Sequence, residues 1–152
     1  MRSLVAWILG LGLAANGLAM LEVPANWYAM VPGVVDTGPF NLHFVRDIGI
    51  AYVVAGAALV WFAKRPAARS AAQAGASFLV LHAAVHLWDA ATGREHAHQL
   101  LVDAPTVFLP PVLALWIAWS PLRHGIKPKK EKSDDQMDSA AVDRQVRAHV
   151  EL

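Results

Sequence analysis

The run Leu81-His82-Ala83-Ala84-Val85-His86-Leu87-Trp88-Asp89 sets three polar side chains in an apolar stretch. On a helix turning about 100° per residue, His82, His86 and Asp89 fall within roughly 60° of one another. A His-x-x-x-His pair presents two imidazoles to one metal ion, and an aspartate one turn later adds a hard oxygen donor. His43 and Asp47 stand at i and i+4, a second His/Asp pair, with Arg46 beside them, and Glu95-His96-Ala97-His98 follows shortly after Asp89. The expected metal ligands are therefore His43, Asp47, His82, His86 and Asp89, with Arg46, His96 and His98 as accessory groups closing the site. Zinc, iron, manganese and copper all suit nitrogen and oxygen donors. The lack of cysteine and the four methionines argue against a dedicated Cu(I) site. Carboxylates would ligate or orient the imidazoles. Arg46 would neutralise a carboxylate or hold an anionic substrate. Haem fits less well: two histidines on one helix at i, i+4 cannot take opposite faces of one haem, so His86 would need a partner such as His43.

Each group also has a plainer reading. His82 can bond a backbone carbonyl, Asp47 can pair with Arg46 or Arg94, and histidines at helix ends often sit at headgroup level. Three functions follow: a metal-binding protein, as an oxidoreductase or an accessory subunit to one; a small transporter or proton-relay component using His82 and Asp89; and a structural or partner-binding subunit.

Four apolar blocks must position these residues: Leu4 to Leu21, Leu42 to Ala63, Ala71 to Ala91 and Ala104 to Trp119. A helix needs about 20 residues to cross roughly 30 Å of hydrocarbon, and each block is near that length. The expected fold is all-α, an integral membrane four-helix antiparallel bundle. Residues 1–122 form the membrane domain, with helices near 4–22, 42–63, 71–91 and 104–120, and 123–152 form a polar tail. Absence of cysteine excludes disulfides and thiol chemistry. No nucleic-acid motif or phosphate loop is present, so the partners expected are the lipid bilayer and further copies or a larger membrane complex.

Charge placement orients the bundle. Lys64, Arg65 and Arg69 lie between blocks two and three, Arg2 precedes block one, and Arg123, Lys127, Lys129, Lys130 and Lys132 follow block four. The other two connections hold only Arg46 and Arg94. The excess of basic residues marks the cytoplasmic side, giving both termini inside and the histidine-rich end outside. Met1-Arg2-Ser3 before an apolar run also resembles a secretory signal, but the run continues to Leu21 and reads as a retained helix. Pro24 and Pro66 should end helices, Asn41 should cap the second, and Asp103 the fourth, with Pro105 in its first turn. Pro110-Pro111 should kink that helix and free backbone carbonyls. Ala6, Gly10 and Ala14, like Ala51 and Ala55, have the spacing that lets helices approach closely. Val142, Val146 and Val150 hint at a short amphipathic helix in the tail.

The segment Thr37-Gly-Pro-Phe-Asn-Leu-His-Phe-Val-Arg-Asp-Ile-Gly-Ile-Ala-Tyr52 resembles the start of helix two in small four-helix bacterial inner-membrane proteins of the DoxX-like kind. In those families an arginine followed by glycine and tyrosine opens this helix, here Arg46, Gly49 and Tyr52. The resemblance implies the four-helix fold and an inner-membrane location. The His82/His86/Asp89 set has no counterpart in it.

Overall fold

The first apolar run contains no proline and forms α1 (Arg2–Glu22), which stops where Pro24 cannot continue the hydrogen-bond ladder. In the computed structural model, which describes residues 1–94 and 98–119, Pro24 instead occupies the first turn of a short helix, α2 (Pro24–Met30). A 3₁₀ turn at Val34–Asp36 leads to α3 (Leu42–Lys64). Asn41 caps α3 as expected, its Oδ1 accepting from the Phe44 N–H at 3.1 Å. Pro66–Ala68 forms a second 3₁₀ turn before α4 (Arg69–Ala91). The last segment comprises α5 (Gln99–Asp103), a π turn over Ala104–Phe108 and α6 (Leu109–Trp119). No strand occurs among the described residues.

The start of this last segment departs from the sequence reading. It begins at Gln99 rather than at Ala104, so Asp103 lies inside the helical run and is not its cap. Pro105 falls within the π turn, where the Leu109 N–H reaches back five residues to the Ala104 carbonyl. Pro105, Pro110 and Pro111 all lack the N–H an α ladder needs, and a π turn is one way a helix absorbs such a mismatch.

Three segments are long and apolar enough to cross a membrane: Arg2–Glu22, Leu42–Lys64 and the continuous Gln99–Trp119. At 23 residues α4 matches them in length. It is more polar, carrying Arg69, Ser70, Gln73, Ser77, His82, His86 and Asp89. Apolar side chains such as Leu4, Ile8, Val54, Leu81 and Val112 are exposed along these helices. A surface so apolar suits lipid rather than water.

The tightest packing joins α1 to α3. Gly10 lies opposite Gly56 and Gly17 opposite Gly49, so the two helices run antiparallel with glycines at seven-residue spacing. A Cβ built on Gly10 would stand 2.8 Å from the Gly56 carbonyl oxygen, and one on Gly49 would stand 2.9 Å from that of Gly17. Both are closer than a methyl can approach, so the glycines set the interaxial distance. Next in the ring, α4 meets α3 where a Cβ built on Gly75 would stand 3.2 Å from the Ala55 Cα and where Phe78 packs edge-on to Tyr52. The other face of α4 meets α6, and Arg69 Nε donates to the Ala118 carbonyl at 2.7 Å. A lighter contact of α1 with α6 closes the ring. Ala6, Leu13, Met20, Leu59, Leu79 and Ile117 fill the core.

Candidate functional site

The helical spacing read from the sequence brings His82 and His86 together. Their rings meet edge to face on α4, with centroids 5.0 Å apart. His82 stacks on Phe78 at 6.0 Å and meets the edge of Tyr52 on α3 at 5.8 Å. Tyr52 is buried. Among the described residues neither its hydroxyl nor the His82 ring has a hydrogen-bond partner. The Tyr52 and His82 rings thus touch while each keeps hydrogen-bonding capacity to spare.

The third member of the cluster is Asp103, not Asp89. His86 Nδ1 and Asp103 Oδ2 are 2.9 Å apart, and the side chains are only 17% and 7% exposed. The other carboxylate oxygen accepts from Gln99 Nε2 at 3.2 Å. Gln99 and Asp103, four residues apart on α5, are both buried. The arrangement depends on the helical run beginning at Gln99. A helix starting at Ala104 would leave Asp103 as a cap facing its own backbone. Gly33 completes the enclosure. It adopts a left-handed φ of 82°, and the Gln99 amide occupies the space its Cβ would fill. The loop after α2 therefore lies directly against the residue that holds Asp103.

Neighbouring contacts fix that loop. Trp27 Nε1 donates to Asn16 Oδ1 at 2.9 Å, tying α2 to α1. The Tyr28 hydroxyl donates to the Gly38 carbonyl, and its ring packs edge-on to Phe40.

The remaining expected ligands go elsewhere. Asp89 pairs with Arg94, Oδ1 to Nη1 at 3.3 Å, a partner only five residues along the chain. His43 Nε2 and Asp47 Oδ2 approach to 3.3 Å on the surface of α3, where the side chains are 89% and 55% exposed. Arg46 donates from Nε to the Leu21 carbonyl at 3.3 Å, not to a carboxylate. His98 occupies the N-cap position of α5 without a side-chain capping bond. Glu95 and His96 lie outside the described residues. Among the described residues no three His, Asp or Glu side chains are arranged around a common point that could hold a metal ion.

Asp103 and Gln99 are the site residues that sequence reasoning missed. Their i, i+4 spacing was a usable signal, masked by the proline that suggested a later helix start. Chemically, a carboxylate that accepts from Nδ1 orients the His86 ring and leaves Nε2 as its basic nitrogen. The result is a chain of three titratable side chains, Asp103, His86 and His82, leading along α4 toward Tyr52. Beyond His82 the same helix offers Leu79, Ala76, Gly75 and Ala72, all buried and without polar side chains. No family model, no curated protein and no solved structure matches the chain.

Proposed function

We propose that this is a multi-pass inner-membrane protein whose outer end exchanges protons between the aqueous phase and the membrane interior through Asp103, His86 and His82. The observation that carries this reading is the 2.9 Å contact between largely buried His86 and Asp103, with His82 adjoining it. Ionisable groups within a membrane bundle are costly and are retained for relays or ligand sites. The buried positions of α4 below His82 carry no polar side chain, which argues for a one-sided relay rather than a continuous proton path. In this reading α4 is a fourth crossing, with His82 set against Tyr52 of α3 and His86 against Asp103 of α5. The end bearing Arg2, Lys64, Arg65 and Arg69 faces the cytoplasm. Arg46, Gly49 and Tyr52, the residues of the DoxX-like motif, find roles at Leu21, Gly17 and His82. That resemblance supports the location.

The test is the charge state of His82 and His86, followed by ¹⁵N chemical shift in liposomes holding the protein in one orientation. When the pH of one compartment is changed at a time, the imidazole signals should follow the histidine-rich end alone. Absence of any response, or a response to the opposite compartment, would refute one-sided exchange.

A second reading keeps a metal ion. A carboxylate on Nδ1 is the usual second partner of a metal-bound histidine, so His86 Nε2 and a nitrogen of His82 would supply two ligands. Others would come from a further group. Zinc, iron, manganese or copper bound near-stoichiometrically, and lost in the His82→Ala/His86→Ala double variant, would favour it over the relay. A Soret band would point to haem.

A further inference from the structure

The end of the bundle opposite the histidines carries four cationic side chains among the described residues, and three are engaged by the protein itself. Lys64 Nζ lies 5.1 Å from the centre of the Trp7 ring, Arg2 lies 5.7 Å from that of Phe62, and Arg69 donates to the Ala118 carbonyl. Arg65 differs. Among the described residues its guanidinium has no ion pair, hydrogen bond or ring contact. It stands at the mouth of a groove of about 400 Å³ between the end of α3 and the start of α4, lined by Trp61, Arg65, Ala67, Ala68, Ser70 and Ala71. Three alanines and the exposed Trp61 make most of the lining apolar, and the Ser70 hydroxyl also lacks a partner among the described residues.

We propose that this groove binds the headgroup of an anionic phospholipid from the bilayer. The reading rests on α3 crossing the membrane and is independent of any role for the histidines. Charge complementarity selects an anion: Arg65 offers a planar fork of donors that matches a phosphate, and Ser70 adds a hydroxyl one turn away. Position selects a lipid. The groove lies at the end of a membrane-length helix, at headgroup level, and the Trp61 and Ala71 walls continue toward the hydrocarbon, where an acyl chain would lie.

The experiment is native mass spectrometry of the full chain released from detergent, titrated with phosphatidylglycerol and, separately, phosphatidylcholine. Wild-type protein should bind phosphatidylglycerol about tenfold more tightly, and Arg65→Gln should remove that preference. Lys64→Gln carries the same charge change outside the groove and should keep it within about twofold. Equal retention of the two lipids by the wild type would overturn the proposal. So would equal losses in Arg65→Gln and Lys64→Gln, which would mean diffuse attraction between charges. Complete displacement of the lipid by millimolar inorganic phosphate would make the occupant a free anion and reject the lipid. Since Arg65 is exposed, Arg65→Gln should retain the wild-type helical circular dichroism, and Arg65→Lys should recover part of the preference.

Discussion

Where α1 meets α3, the contact is made by backbone. Gly10 and Gly17 approach the Gly56 and Gly49 backbone directly, and polar side chains such as Ser3 and Arg46 join the two helices only near their ends. Where α4 meets α5, the contact is made by Asp103, His86 and Gln99, each relying on another for its bonding. The middle of the first interface gains from close van der Waals approach and tolerates little added volume. The second is held by groups that would be cheaper in water, and keeps them buried only because they satisfy one another. One interface is thus a close-packed scaffold, and the other encloses a polar cluster. Nine residues separate His82 from Ala91 at the end of α4, so His82 sits about 14 Å along the helix from that end.

The contrast can be broken most strongly at Asp103. Asp103→Leu leaves His86 buried without its carboxylate and should cost about 3 kcal/mol, measured by reversible unfolding in mixed micelles. Adding His86→Leu to that variant should recover part of the loss, because the double change removes both halves of the pair. Gly17→Val should cost about 2 kcal/mol by forcing α1 away from α3. Gly12→Ala, on the open side of the same helix, should be neutral or slightly stabilising. Trp27→Phe removes the bond to Asn16 and should cost about 1 kcal/mol, seen as a modest fall in Tm. Smallest of all, His43→Ala or Asp47→Ala should change stability by less than about 0.5 kcal/mol, because that pair lies in the open. A larger loss in either would mean that the exposed pair has a partner, such as a metal ion or a second copy.

Much of the scaffold was legible in the sequence because its signals are local. Pro24, Asn41 and Pro66 act on helix ends within a few residues, and the apolar runs have membrane length whatever they pack against. The spacing of His82 and His86 was equally local, and the two rings do meet. What the sequence concealed is tertiary. Gly10 and Ala14 pack on Gly56 as their four-residue spacing suggests, but the second close approach, Gly17 on Gly49, lies outside that series. Asp89 lies on the same face as His86 by periodicity, but Arg94, five residues on, is a nearer partner. Asp103 could be recognised only after the last helical segment was known to start at Gln99, which three prolines in that stretch obscured. Gly33 shows its purpose only once Gln99 is seen in the space beside it.

The central claim is that Asp103 holds His86 within the bundle, and the tautomer of His86 tests it most directly. In protein labelled with ¹⁵N at histidine, the spectrum should show a proton on His86 Nδ1, shared with Asp103. Asp103→Leu should shift that Nδ1 signal while leaving the His43 signals unchanged. An Nδ1 that carries no proton in the wild type, or a His86 spectrum indifferent to Asp103→Leu, would contradict the account.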